Sequence, residues 1–372
     1  MNEIYNISKE NDVEVEEEDT SSISSIEKPF DPKKIDIITK PFTIDLIIKR
    51  LNNDEIDLYT SFQRGMDLWD VTKQSRLIES ILIRLPLPAF YFDGSNDSKW
   101  LVVDGLQRLC SFKNYIIKKS LKLQNLEYLT QFNNIGFDSL PRDLRRRIEE
   151  HAITVYIINP GTPEEVKFNI FKRINTGGLI LTPQEIRHAL NQGIPSEFIQ
   201  ELAELIEFTK LGINPKRMQD RDFVTRFVAF YINKLEEYKP DLDTFLNSSM
   251  SKLKKFTSQE LEQIKADFLK ALVAACNLFG IYAFRKRYGI EESRTRPINK
   301  ALFEVWTVAL SKLTKEKIKN LIESKDTINQ EFIHLLNSDT EFVNAITMGT
   351  GDKKRVEKRF KTIEELVKKV LK

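Results

Sequence analysis

The sequence predicts an α+β protein: a small α/β domain followed by a mostly α-helical domain. Three observations carry that reading. Strand-like and helix-like runs alternate from residue 29 to about residue 182, and from about residue 185 nearly every segment repeats apolar residues at helical spacing. Between them stand two helix-start signals, Thr162-Pro163-Glu164-Glu165 and Thr182-Pro183-Gln184-Glu185, each with an N-cap threonine, a proline at the first helical position and a glutamate two residues later. The 372 residues suffice for two domains with a full core.

Taken in order, residues 1–28 read as a disordered acidic tail, because Glu14-Val15-Glu16-Glu17-Glu18-Asp19 leads into a Ser/Thr-rich stretch. This stretch has no apolar h-region. Residues 43–51 predict a helix, 55–60 a short strand and 70–85 an amphipathic helix that Pro86 and Pro88 stop. Residues 89–92 and 100–103 predict a hairpin around Gly94-Ser95-Asn96-Asp97, and 151–158 another strand. The α/β domain is placed at 29–190 and the helical domain at 191–372, with helices over 222–235, 240–254, 258–287, 299–313, 315–324, 328–336 and 356–371.

Composition excludes several classes. Lys and Arg number 57 against 55 Asp and Glu, so bulk charge gives no argument for nucleic acid. Cys110 and Cys276 form no disulfide framework and no metal-ligand spacing, which with three scattered histidines excludes a structural zinc site and suits a cytoplasmic protein. The longest apolar run, 271–284, is interrupted by Asn277 and Gly280 and is too short to span a bilayer, so no membrane partner is expected.

Three polar constellations are candidate sites. In Phe62-Gln63-Arg64, between a strand and a helix, Arg64 can take a phosphate bidentately or pair with Asp67 or Asp70. In the run Leu101-Val102-Val103-Asp104-Gly105-Leu106-Gln107-Arg108 a buried strand turns into a helix, and Gly105 permits the turn. The first amides of such a helix face an anion. Asp104 can hold a metal ion or activate water, or simply cap the helix; Gln107 can orient water; Arg108 can neutralise phosphate. In Lys172-Arg173-Ile174-Asn175-Thr176-Gly177-Gly178 a helix ends in two cations before a turn, a pattern that also serves ordinary helix termination. The basic runs at 142–147, 285–287 and 353–355 could grip a nucleic-acid backbone, but nearby acids make a solvated charged face the simpler reading. No GK[ST] phosphate loop, nuclease histidine motif or Ser/His pairing is present.

The order of these motifs, with Leu85-Pro86-Leu87-Pro88 between the first two and Gln184-Glu185-Ile186-Arg187 after the third, resembles the N-terminal domain family of GmrSD-type restriction endonucleases over roughly residues 30–190. The resemblance implies a ParB/sulfiredoxin-like fold that binds a nucleotide, with hydrolysis of an NTP of unassigned base and Mg2+ as cofactor, in defence against phage or modified DNA. On the matching positions it implies Asp104, Gln107 and Arg108 as the catalytic set and Asp104 as metal ligand. Gln63, Arg64, Gly105, Lys172, Arg173, Asn175, Thr176 and Gly177 would hold the nucleotide. The family signature is Asp-Gly-Gln-Gln-Arg, and Leu106 stands here at its first glutamine. Relatives carry a separate HNH-type nuclease domain, whereas from residue 191 onward His334 is the sole histidine, so a separately encoded nuclease is the expected partner. Two other readings stay open: a ParB-like nuclease that cuts DNA phosphodiesters in the same pocket, and a non-catalytic protein whose helical half binds partners.

Overall fold

The computed structural model describes residues 13–17, 34–58, 69–174, 181–292 and 294–372. It divides into two compact units: residues 30–182, and residues 183–372 together with 1–29.

The first unit is built on a five-stranded mixed sheet, ordered β1 (Ile37–Thr43), β5 (Ala152–Ile158), β3 (Phe90–Asp93), β4 (Trp100–Asp104), β2 (Ile56–Asp57). β1 runs antiparallel to β5, β5 parallel to β3, β3 antiparallel to β4, and β4 parallel to β2. Its helices are α1 (Ile44–Asn52), α2 (Val71–Leu82), α3 (Leu106–Phe112), α4 (Arg142–Glu149) and α5 (Glu164–Ile174). The chain is thus α+β. Sequence reasoning missed β1, whose Pro41 argues against a strand. The strand lies at the sheet edge, where a proline without an N–H is tolerated.

Caps fix the helix starts. Thr43 accepts from the Leu46 amide to open α1, and Asp70 accepts from the Lys73 amide at 2.8 Å to open α2. Asp70 is therefore a cap of α2. The apolar faces of α1 and α2 bury Ile44, Ile47, Ile78 and Ile81 completely, and Phe90, Phe92, Val102 and Val155 are buried from the sheet. Phe90 meets Phe112 of α3 with ring centroids 6.1 Å apart. The loop after α3 is strapped by one carboxylate: buried Glu79 accepts from the amides of Glu127, Tyr128 and Leu129 at 3.0, 2.8 and 2.8 Å. Burial alone would raise that carboxyl, but the three amides and Arg76 outweigh it and hold it below its usual value.

The second unit contains α6 (Pro183–Leu190), α7 (Ile194–Ala203), α8 (Ile206–Thr209), α9 (Gln219–Ile232), α10 (Leu242–Lys252), α11 (Ser258–Phe279), α12 (Lys300–Ser311), α13 (Lys315–Glu323), α14 (Lys325–Ser338), α15 (Thr340–Thr347) and α16 (Lys353–Val370). α11 opens with a full capping box in which Thr257 and Glu260 satisfy each other's backbone amides. It ends at Phe279 rather than at residue 287, because Gly280 takes a positive φ and the chain leaves the helix. Part of the acidic segment expected to be disordered has a defined place here. Val15 bridges to Ile298, and Glu16 pairs with Lys286 at 2.6 Å and accepts from Asn299. A β-bridge and an ion pair give these residues contacts that the composition of the tail does not reveal.

A chain of buried ions runs through this unit. Arg359 and Glu304, both fully buried, form an ion pair, and Arg359 also donates to the carbonyls of Ala345 and Thr350. Arg226 reaches Glu304 at 3.4 Å and Asp222 at 3.5 Å. Asp222 also binds Arg187 at 2.6 Å and Lys300 at 2.8 Å. Burial would raise the Asp222 carboxyl, yet Lys300, Arg226 and Arg187 hold it far below the usual carboxylate range.

Candidate functional site

The strand-to-helix turn predicted at Asp104-Gly105 is present: β4 ends at Asp104 and α3 begins at Leu106. Gly105 has φ +102°, and a Cβ there would lie 2.4 Å from Cδ1 of Phe90. Both the left-handed backbone and the close approach require glycine. After α3 the helix widens into a π turn over Lys113–Ile117, which buries Tyr115.

Asp104 does not cap α3, since no side chain caps that helix. Its Oδ2 binds Arg108 at 2.8 Å instead. The expectation that Arg108 faces a phosphate does not fit its bonds. The guanidinium is buried over the Phe90 ring, 4.2 Å from its centroid, and donates to the carbonyls of Pro88 and Ala89 as well as to Asp104. Burial lowers its pKa and Asp104 counters the shift. A cation whose donors go to main-chain carbonyls orients Asp104 and ties α3 to the segment before β3.

Gln107 differs. It is 9% exposed, its Oε1 accepts from the Trp69 amide at 3.0 Å, and its Nε2 is buried with no hydrogen-bond partner among the described residues. An amide donor left unmade in the interior costs about 1–3 kcal/mol. Such a group in a native structure is commonly explained by a ligand or water. The bond to Trp69, reinforced by Gln74 Nε2 donating to the Trp69 carbonyl at 2.6 Å, joins α3 to the start of α2. Gln63 and Arg64 lie outside the described residues.

Lys172 and Arg173 are exposed on the last turn of α5. That helix packs on β4 and is pinned by buried Lys167, which meets Asp93 at 3.4 Å and Glu164 at 3.3 Å and donates to Ser95. Asn175, Thr176 and Gly177 lie outside the described residues. The structure therefore brings Asp104, Gly105, Gln107 and Arg108 together at one turn and links Trp69 to it. It places Lys172 and Arg173 on a helix against the same strand.

Two residues that sequence reasoning missed belong to this neighbourhood. Tyr91 on β3 pairs in register with Asp104 on one side and with Tyr156 of β5 on the other. The two tyrosine rings stack, with centroids 4.7 Å apart and planes 13° off parallel. Burial, then Tyr156, then Asp104 raise the Tyr91 phenol. The alternation Phe90-Tyr91-Phe92 and Val155-Tyr156-Ile157 was the available signal, because it sets each tyrosine opposite the buried face.

Gln184-Glu185-Ile186-Arg187, the last motif of the resemblance, lies on α6 and is committed within the helical unit. Arg187 Nε donates to Gln184 at 2.8 Å, Gln184 Nε2 donates to Thr225 at 2.9 Å, and Glu185 accepts from Arg217 at 2.7 Å.

Fold and turn together define a class: an α+β domain in which an interior strand of the sheet, β4, runs through Asp-Gly into a helix carrying a buried Gln-Arg pair. Residues 45–192 match the family model of the GmrSD restriction endonuclease, N-terminal domain, so this segment is similar to that family. No curated protein and no solved structure matches the chain. Among the described residues, no helix is long and apolar enough to cross a membrane, and no three His, Cys, Asp or Glu side chains cluster as a metal site.

Proposed function

We propose that the α/β unit is the nucleotide-binding module of a restriction-type defence system, taking an NTP and working with a separately encoded nuclease. The observation that carries this reading is the buried, unpartnered Nε2 of Gln107 beside the Asp104-Gly105 turn. It is a preorganised donor for an acceptor-rich ligand, and phosphate oxygens are such acceptors. Arg108 is a positioning residue that fixes Asp104. Arg64, Lys172 and Arg173 supply charge for the remaining phosphate oxygens, with Gln63, Asn175, Thr176 and Gly177 orienting them.

Mg2+ fits the donor set in one way. The ion is usually held by one or two carboxylates together with substrate phosphates and water. Asp104 is half-buried and commits Oδ2 to Arg108, so Oδ1 is the oxygen it would offer the ion. A bound Mg2+ would neutralise phosphate charge there. With Leu106 at the first glutamine of the signature, Gln107 is the remaining amide of that pair and the residue that orients a water for hydrolysis. The presence of one histidine, His334, among residues 191–372 supports assigning the nuclease to a partner.

Calorimetric titration of the full chain with each of the four NTPs, with and without Mg2+, tests the reading. Binding of at least one NTP is expected, weakened tenfold or more (at least about 1.4 kcal/mol) in Asp104→Ala. Failure of the wild type to bind any NTP overturns it. Nicking of plasmid by the chain with Mg2+ alone and no nucleotide would favour the ParB-like nuclease instead.

A further inference from the structure

We infer that the stacked pair Tyr91–Tyr156 is the base-binding platform of this site, so that the nucleotide lies across the sheet with its phosphates at Asp104-Gly105-Gln107 and its ring on the tyrosines. The inference rests on the nucleotide reading above and adds the subsite that would select the ligand's aromatic end.

Strand register makes the argument. Thr39, Tyr156, Tyr91 and Asp104 are successive cross-strand partners on β1, β5, β3 and β4, so they form one row perpendicular to the strands. Alternation puts Thr39, Tyr156 and Tyr91 on one face, and Asp104 adjoins Tyr91 where the β3–β4 register shifts between Tyr91 and Phe92. Their neighbours Phe90, Phe92, Val155 and Ile157 are buried on the other face, whereas Thr39 is exposed and Tyr91, Tyr156 and Asp104 are half-buried. Towards the far end of β3 the face closes, where Asp93 is buried against Lys167 of α5. The tyrosines therefore sit between a closed end and the Asp104 turn.

A structural role alone explains less. Cross-strand aromatic pairs do stabilise sheets. Here, however, two large rings stack nearly parallel on a half-buried face, and Tyr91 pairs with Asp104 at the turn that leads into Gln107. Adjacent strands lie about 4.8 Å apart, so the row from Asp104 to Tyr156 spans about 10 Å. Nucleobases stack on such platforms irrespective of sequence, because every base presents a π face. Ring stacking supplies affinity without dictating purine or pyrimidine, which accords with the lack of a base-specific signature in the chain.

The experiment compares a nucleotide with its phosphate moiety alone. The full chain is titrated with the NTP that binds best and with inorganic tripolyphosphate, as wild type and as Tyr91→Leu, Tyr156→Leu, Tyr91→Phe and Tyr156→Phe, with circular dichroism confirming the fold of each. The leucine variants should bind the NTP about tenfold or more weakly, in line with the measured loss of a base–aromatic stack, and bind tripolyphosphate as the wild type does. The phenylalanine variants, which keep the ring, should retain NTP affinity. Unchanged NTP binding in both folded leucine variants, or equal weakening towards NTP and tripolyphosphate, overturns the platform while leaving the nucleotide reading intact. A wild type that binds neither ligand overturns both. Should both leucine variants unfold, the folded phenylalanine variants decide: retained NTP affinity supports a ring contact, and loss of it overturns the platform.

Discussion

Each unit carries a Gln/Arg pair near the start of a helix, and the two pairs are used in opposite ways. On α6, Gln184 and Arg187 satisfy each other and extend into Thr225, Asp222 and Asp243, so the pair is a hub of the helical unit. On α3, Arg108 is likewise committed, to Asp104 and two carbonyls, but Gln107 keeps one buried amide donor unmade. The residue types are the same, and each glutamine is the second residue of its helix. What separates a structural hub from a candidate binding site is where each donor goes.

The sharpest way to break this comparison is to show that the helical unit's ions are dispensable. Glu304→Ala should destabilise the chain by about 3–5 kcal/mol, because it leaves Arg359 buried without its carboxylate and removes one of the carboxylates that Arg226 reaches. The denaturant midpoint reads the effect, and a loss under about 1 kcal/mol would remove the hub interpretation. The same network predicts acid lability. With its folded value depressed, Asp222 contributes stability that is complete above the ordinary carboxylate range and is lost as pH falls through the folded value.

His188, on α6 beside this hub, sharpens the contrast through pH. Burial, and secondarily Arg221, lower its pKa to about 4 from 6.5. The folded state therefore disfavours the proton that the unfolded chain accepts. The contribution of His188 is full above pH 6.5, declines as pH falls from 6.5 to about 4, and levels off below that. Its slope cannot exceed about 1.4 kcal/mol per pH unit. In His188→Gln that decline should disappear from the pH dependence of unfolding; an unchanged profile would assign it to another group.

A smaller effect belongs to the α/β unit. Glu79→Ala should cost about 2 kcal/mol, since three backbone amides lose a shared charged acceptor. Gln107→Leu should be smaller still, within about 1 kcal/mol of wild type, because the lost bond to Trp69 is offset by removal of an unmade donor. A catastrophic Gln107→Leu would mean that this side chain serves the fold.

Much of the architecture was legible. Helical periodicity and caps gave α1, α2 and the helical unit, and the apolar run into Asp104-Gly105 gave the turn, because glycine after a buried strand has a specific steric reason to be there. β1 was not legible, since Pro41 disguises an edge strand, and the end of α11 was overrun because Gly280 lies within an apolar run. Of the candidate site, the Asp104-Gly105 turn was legible from residue type and order. The inward bonding of Arg108 was not, because it depends on the carbonyls of Pro88 and Ala89, which only the folded chain brings within reach. The tyrosine row was missed for a similar reason. Register across three strands is a tertiary fact, and no single strand encodes it.

The central claim is that the unmade amide of Gln107 awaits a phosphorylated ligand, and thermal unfolding with and without ligand tests it most directly. At a ligand concentration about one hundred times Kd, wild type should gain about 2.7 kcal/mol and show a raised Tm with NTP and Mg2+, while folded Gln107→Leu should show little or no rise. A wild-type Tm that no NTP shifts, or a Gln107→Leu variant stabilised as much as wild type, would contradict the account.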